Sequence, residues 1–124
     1  MEFIITKKAP AAIGPYSQAV KANNLLYLSG QLPIDPETGN IADNDIVTQS
    51  RQVLKNIKAI LDEEGLTIDQ VLKTTIFIKN MDQFSIINEE YNNFFKDHKP
   101  ARSTVEVSRL PKDALIEIET IAVY

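Results

Sequence analysis

The chain has 124 residues, the length of a single domain, and we expect one domain over residues 1–124. Its 17 Asp and Glu residues outnumber its 13 Lys and Arg residues, and the net charge of −4 argues against a nucleic-acid-binding protein, which normally has a basic excess. Cysteine is absent and His98 is the single histidine, which excludes disulfides, thiolate zinc sites and multi-histidine metal sites but leaves open a metal site made of carboxylates alone.

The first half of the chain predicts three strands and a long helix. The predicted strands are short apolar runs bounded by turn residues: Phe3–Ile5, Gln18–Lys21 and Leu25–Ser29. Asn23 and Asn24 fit a hairpin turn between the second and third strands, because asparagine tolerates a positive φ. Apolar residues at helical spacing predict a helix over Asp45–Glu64, and Gly65 fits its C-terminal end.

The second half of the chain predicts a strand, a helix and two further strands. The strand covers Val71–Lys79, and the helix that follows is ended by Pro100. The helix has an apolar face made of Phe84, Ile87, Tyr91, Phe94 and Phe95. The last strands, Arg102–Ser108 and Leu115–Val123, flank Leu110-Pro111. The order βββ-α-β-α-ββ predicts a two-layer α+β domain, with two long helices on one face of a sheet.

The sheet face away from the helices is predicted to mix apolar and charged side chains. In the last strand Ile116 and Ile118 point to one face, and Glu117, Glu119 and Ile121 point to the other. In Val71–Lys79 we expect Leu72, Ile76 and Ile78 to face the helices. An apolar patch left in water marks an interface, so the pattern predicts a homo-oligomer packed through this face. A solvated face with scattered apolar residues is the alternative.

Candidate chemistry lies in the last two strands, which we expect to pair as an antiparallel hairpin. With a turn at Leu110-Pro111, Thr104 lies opposite Glu117 and Arg102 lies opposite Glu119, so all of them share a face with Glu106. Arginine is the side chain suited to bidentate carboxylate binding, and a carboxylate beside it can deprotonate a water molecule. The alternative is an ordinary cross-strand ion pair between Arg102 and one of the glutamates.

Three further positions have both a functional and a structural interpretation. Ser29 and Gly30 could bind an anion, or Gly30 could serve a bend at the end of the strand. Tyr16, on a loop rigidified by proline, is either a lid over a pocket or a plug in the core. We expect His98 to be structural or solvated.

Membrane spans and the common phosphate-binding loops have no support in the sequence. The longest apolar runs, such as Leu25–Leu28, have four residues, whereas a membrane-spanning helix needs about 20. No apolar block typical of a signal peptide follows Met1, so a soluble cytoplasmic protein is expected. The glycines do not have the spacing of a dinucleotide fingerprint or a Walker loop.

Several ordered segments together resemble the RidA/YjgF family, and the likeness runs essentially from end to end. The segments are Ala9–Ala19, Leu28–Pro33, Pro100–Val107, Leu110–Asp113 and Ile116–Glu119. The resemblance is closest to the bacterial branch of 2-iminobutanoate/2-iminopropanoate deaminases. It implies a fold like that of the small bacterial chorismate mutase, and a homotrimer with sites between subunits. It also implies hydrolysis of reactive 2-imino acids to 2-oxo acids and ammonia, with no cofactor and no metal.

The resemblance also implies roles for individual residues. Arg102 would clamp the substrate carboxylate, and Glu117 would activate or orient the attacking water. The positions that would line the cleft are Tyr16, Ser29, Gly30, Asn88 and Thr104. Thr104 stands where many members have cysteine, which suggests that a thiol is not required. Two alternatives remain open: an endoribonuclease or translation inhibitor, and a ligand-sensing regulatory protein, which would need Arg102 but not Glu117.

Overall fold

A single mixed sheet with both long helices on one face organises the chain, and the computed structural model describes all 124 residues. The strands are β1 (Glu2–Ile4), β2 (Ala19–Ala22), β3 (Leu25–Gln31), β4 (Val71–Ile78), β5 (Ala101–Glu106) and β6 (Ile116–Val123), and the helices are α1 (Ile46–Glu63) and α2 (Phe84–Phe95). The predicted two-layer α+β class and element order are confirmed. None of the helices is long and apolar enough to cross a membrane.

The strands follow the order β1-β2-β3-β6-β4-β5 across the sheet. All neighbours are antiparallel except β4 and β5, which are parallel. The β2–β3 hairpin turns at Asn23, whose φ of 54° is in the left-handed region, as expected. The inner strands β6 and β4 lie under the helices, and β5 is an edge strand.

The core lies between the sheet and the helices. Helix α1 begins after Asp45, whose carboxylate accepts a hydrogen bond from the Thr48 backbone N–H at 2.8 Å, which is a standard N-cap. Its apolar stripe packs on alternate residues of the inner strands, such as Ile76 and Ile118, both essentially inaccessible to solvent. The period-2 pattern of β6 is therefore as predicted. Glu117 and its alternate neighbours lie on the sheet face away from the helices, which we call the open face.

The predicted hairpin between the last two strands is wrong. Strand β4 lies between β5 and β6, so that Thr104 pairs with Ile76 and Glu117 pairs with Phe77. The reason is the helix between β4 and β5, because a strand–helix–strand unit places its two strands parallel in one sheet. The segment between β5 and β6 crosses the end of β4, where the Val107 N–H donates to the Ile78 carbonyl at 2.9 Å.

Three local expectations also differ from the structure. A β-bulge between Val71 and Lys73 turns Leu72 outward, where it is 46% exposed, and buries Val71 in its place. Helix α2 ends at Phe95 rather than near Pro100, because Lys96 adopts a φ of 57° that a helix cannot continue. Strand β3 continues to Gln31, so Gly30 is inside the strand and does not end it.

Candidate functional site

Arg102 lies on the edge strand β5, and one face of helix α2 covers it. Its Nη1 donates a hydrogen bond to the Asn88 side-chain oxygen at 2.8 Å. The guanidinium carbon lies 4.9 Å from the centre of the Tyr91 ring and 5.3 Å from that of the Phe84 ring, both within cation–π range. The guanidinium itself remains exposed to solvent. It has N–H groups left to donate to a carboxylate.

Thr104 shares the Arg102 face, because alternate residues of a strand point the same way. Its hydroxyl oxygen is buried and has no hydrogen-bond partner in the chain. Glu106, the next residue on that face, is already engaged by the Met81 backbone N–H at 2.8 Å. We call Arg102, Asn88 and Thr104 the arginine half-site.

Glu117 lies on the inner strand β6 and packs directly over Gly30 of β3. A Cβ atom built on Gly30 would overlap the Glu117 carboxylate oxygen Oε1 and lie 2.9 Å from its Cδ. Glycine is therefore required at position 30 for the carboxylate to lie where it does. A register shift in β3 between Leu28 and Gln31 accompanies this close approach.

The Glu117 carboxyl is half-buried, and this burial raises its pKa above the usual value for glutamate. The negative charge of the exposed Glu119, two residues along the same face, adds to the rise. A carboxylate with a raised pKa is a stronger base, which suits it to accept a proton from water.

Ser29 precedes Gly30 in strand β3 and is linked by one hydrogen bond to the loop that contains Tyr16. The Ser29 hydroxyl donates to the Ser17 carbonyl at 2.6 Å, which ties strand β3 to the loop that carries Tyr16. Tyr16 is 54% exposed, which excludes the core plug, and its role as a lid over a pocket stays a prediction. We call Glu117, Gly30, Ser29 and Tyr16 the glutamate half-site.

The sequence interpretation missed how the Tyr16 loop is held in place. The buried Gln18 side chain accepts the Thr6 N–H at 2.6 Å and donates to the carbonyls of Thr6 at 3.0 Å and Pro10 at 2.8 Å. The only signal in the sequence was a polar residue, Gln18, between the loop and the strand, and the pattern assigned Gln18 to the strand.

The two half-sites lie on opposite faces of the sheet in one chain. Arg102 pairs with Thr74, which faces the helices, whereas Glu117 pairs with Phe77 on the open face. Arg102 and Glu117 are also on strands separated by β4, and these two strands lie roughly 10 Å apart across the sheet. The predicted shared face is therefore wrong, and neither Arg102–Glu117 nor Arg102–Glu119 is among the ion pairs of the chain.

Each face offers a recess beside its half-site. A cleft of about 460 Å³ adjoins Arg102 and is lined also by Asn88, Tyr91 and Lys99. The open face has a hollow of about 330 Å³ that includes Ser29. His98 is structural, as expected, since its Nε2 lies 2.6 Å from the Val71 carbonyl oxygen. No three His, Asp or Glu side chains are grouped so as to hold a metal ion.

Comparison with known proteins places the chain among proteins with several names. The family described as Endoribonuclease L-PSP matches residues 6–124. A RutC family protein of Pyrococcus horikoshii is 57% identical over 121 residues, which cover 98% of this chain and 96% of that protein. The 2-iminobutanoate/2-iminopropanoate deaminase of Escherichia coli K12 is 50% identical over 123 residues, which cover 97% of this chain and 95% of that enzyme.

Solved structures of proteins with similar sequences have the same fold as this chain. A crystal structure of TdcF from E. coli with bound serine superposes with a TM-score of 0.95 at 45% identity, and the match covers 100% of this chain and 99% of that chain. A likeness of this extent and identity leaves no large element of the chain unmatched.

Proposed function

This chain belongs to the endoribonuclease L-PSP family, that of the YjgF and RidA proteins, and from this membership we propose that it is an imine deaminase. Its substrates would be small 2-imino acids, 2-iminobutanoate and 2-iminopropanoate, and its products 2-oxo acids and ammonia. The observation that carries the proposal is the pair of half-sites, an arginine held ready for a carboxylate and a glutamate of raised pKa.

The reaction needs only what these side chains supply. Arg102 would donate two N–H groups to the substrate carboxylate, which fixes the imine carbon in place. Glu117 would accept a proton as a water molecule adds its oxygen to that carbon, forming a carbinolamine. The same proton would pass to the nitrogen, which completes the carbinolamine. Glu117 would then take the hydroxyl proton of the carbinolamine and give it to the nitrogen as the C–N bond breaks, releasing ammonia and leaving the 2-oxo acid. An imine carbon is electrophilic, so neither a covalent nucleophile nor a metal is required.

The complete site would form between two subunits of a homotrimer. Since Arg102 and Glu117 lie on opposite faces of one chain, a substrate can touch both only if the glutamate half-site comes from a neighbouring copy. The open sheet face is suited to such packing, with Tyr27 at 44% and Val105 at 42% exposure among its apolar residues. A contact between two different surfaces can close into a ring of subunits.

The relatives support the same assignment. The E. coli enzyme that is 50% identical carries the deaminase name. The serine bound by TdcF has the α-carboxylate that a 2-imino acid also has. These likenesses cover 97% and 100% of this chain, and the family match includes the residues of both half-sites.

A coupled assay tests the activity. A threonine dehydratase releases the imine, and its decay is followed separately from dehydratase turnover, with and without this protein. We expect faster imine decay at unchanged dehydratase turnover. Decay at the uncatalysed rate, with a folded protein at micromolar concentration, would contradict the deaminase assignment.

Mixing variants tests the position of the site. Arg102→Ala and Glu117→Gln chains, each with strongly reduced activity alone, are co-expressed so that trimers assemble with both. With random mixing, about one site in four pairs an intact Arg102 with an intact Glu117 of the neighbour, so about a quarter of the activity should return. Light scattering should give about three times the chain mass of 13.9 kDa. No recovery in mixed trimers, or a monomeric mass, would contradict a site between subunits.

The family description favours one second candidate, an endoribonuclease. Phosphate contacts require clustered cations, and a chain with net charge −4 is poorly suited to them. RNA cleavage that survives in Arg102→Ala and disappears with added salt would support a separate nuclease activity.

A further inference from the structure

Helix α2 presents one stripe of side chains to Arg102. Phe84, Asn88 and Tyr91 are four and three residues apart, the spacing that aligns side chains along one helix face. We propose that Tyr91, fixed by a hydrogen bond to Thr74, is a positioning residue that orients the Arg102 guanidinium before a carboxylate binds. Its effect on catalysis rests on the proposed deaminase function, whereas its effect on Arg102 does not.

The Tyr91 ring is fixed from below by the sheet. Its hydroxyl lies 2.7 Å from the Thr74 hydroxyl, and this hydrogen bond is buried, with Thr74 fully inaccessible to solvent. Thr74 is also the direct strand partner of Arg102. The residue that anchors the ring therefore lies beside the backbone of the residue that the ring supports.

The guanidinium is held by α2 in three ways. The Tyr91 ring centre is 4.9 Å and the Phe84 ring centre 5.3 Å from the guanidinium carbon, and Asn88 accepts a hydrogen bond from Nη1 at 2.8 Å. No carboxylate of the chain pairs with Arg102. An exposed, unpaired arginine on an edge strand would otherwise sample many rotamers.

This arrangement explains why a tyrosine suits position 91. A phenylalanine ring at this position would also attract the Arg102 guanidinium, but the tilt of the ring would then depend on packing alone. The hydroxyl adds a directional contact through its hydrogen bond to Thr74, and burial raises the Tyr91 pKa above its ordinary value. An oriented guanidinium loses less rotational freedom when a ligand binds, and the ligand therefore binds more tightly.

The test measures the motion of Arg102 and its consequence separately. Rotation of the guanidinium is followed by NMR on arginine-labelled protein, with Arg102→Lys used to assign the signal. The variants are Tyr91→Phe, Thr74→Val and Tyr91→Leu. Phe94→Leu is the matched control, because Phe94 is an aromatic residue of the same helix that packs on Phe95 rather than on Arg102. Imine decay gives kcat and KM, and 2-oxobutanoate is the carboxylate probe for binding.

We expect slow guanidinium rotation in wild type and Phe94→Leu, faster rotation in Tyr91→Phe and Thr74→Val, and the fastest in Tyr91→Leu. The KM and the dissociation constant of 2-oxobutanoate should rise together, about threefold in Tyr91→Phe and about tenfold in Tyr91→Leu, with kcat changed less. If Tyr91→Leu does not fold, Tyr91→Phe and Thr74→Val decide the question.

Unchanged Arg102 rotation in the folded Tyr91 and Thr74 variants would overturn the proposal, whatever the activity. So would equal effects in Phe94→Leu, since these would indicate general loosening of α2. Absence of imine hydrolysis by wild type, with slowed rotation still dependent on Tyr91, would contradict only the deaminase function.

Discussion

Arg102 lies on an edge strand with its guanidinium in water, whereas Glu117 lies on an inner strand with its carboxyl half-buried. In the proposed site the arginine needs orientation, which Asn88 and two aromatic rings supply. The glutamate needs a changed basicity, which burial supplies by raising its pKa. In the proposed site, the fold therefore prepares the carboxylate-binding group through contacts and the proton acceptor through desolvation.

The largest expected effect comes from removing the oriented charge. Arg102→Ala should lower imine hydrolysis by about a hundredfold, since charge-assisted hydrogen bonds contribute about 1.5–3 kcal/mol and both are lost. Arg102→Lys should recover little, because an ammonium cannot reproduce the planar fork. The measurement is kcat/KM for imine decay, with light scattering to check assembly.

Arg109→Ala is the matched control for this prediction. Arg109 is an exposed arginine whose ion pair with Asp113 at 2.8 Å is local and away from both half-sites. The Arg109→Ala variant should hydrolyse imines at the wild-type rate. Wild-type activity in a folded Arg102→Ala variant would refute the carboxylate clamp.

The next effect comes from removing the base while keeping its shape. Glu117→Gln should still bind 2-oxobutanoate but turn over at least about tenfold more slowly, because general acid–base assistance contributes about 10²–10⁴-fold. Glu119→Gln, exposed on the same face, should matter less to turnover. If Glu119→Gln had the greater effect, Glu119 rather than Glu117 would manage the proton.

The pH dependence sharpens the same assignment. The raised pKa means that Glu117 takes up its proton at a higher pH than an ordinary glutamate, and the protonated form cannot act as a base. Hydrolysis corrected for the uncatalysed rate should therefore fall as the pH is lowered through this raised pKa. The fall should be absent in Glu117→Gln. In Glu119→Gln it should shift to lower pH, because a neighbouring negative charge is gone.

A smaller effect should follow from displacing the carboxylate. Gly30→Ala places a methyl group where the Glu117 carboxylate lies, and the carboxylate is the mobile end of a side chain. The protein should therefore fold and assemble, with kcat about fivefold to tenfold lower, because the base must move away from its position. In the Glu117→Gln background the same change should add little. Full additivity of the two would indicate that Gly30 acts elsewhere.

Local sequence patterns predicted the helices and strands well, because the formation of a helix or strand depends on residues that are near one another in the sequence. The period of the apolar residues placed α1 within one residue at each end and correctly oriented Glu117. The pairing of strands depends on distant residues, and there the hairpin expectation was wrong. The helix between β4 and β5 was a usable signal for parallel pairing that was given too little weight.

The site was predicted only in part for the same reason. The residue pattern of the last two strands indicated Arg102 and Glu117, the family resemblance supplied their expected roles, and their separation onto opposite faces followed only from the strand order. The cation–π contacts of Arg102 join α2 to β5, and the demand for glycine at position 30 joins β3 to β6. Contacts of this kind, between elements far apart in the chain, leave no periodic signal in one sequence.

The smallest effect is expected at Thr104, which lies beside the oriented arginine. Its hydroxyl oxygen is buried and has no partner in the chain, so in the proposed site only a bound ligand or the neighbouring subunit can complete it. A thiol keeps one donor and nearly the same volume, so Thr104→Cys should change kcat/KM by less than about threefold. Thr104→Val removes the donor and keeps the shape, and should cost more than Thr104→Cys. Wild-type kcat/KM in both variants would show that the hydroxyl contacts no substrate atom. A large loss of kcat/KM in Thr104→Cys would show that the hydroxyl makes a specific hydrogen bond. Either result would narrow the arginine half-site to the groups that touch the substrate.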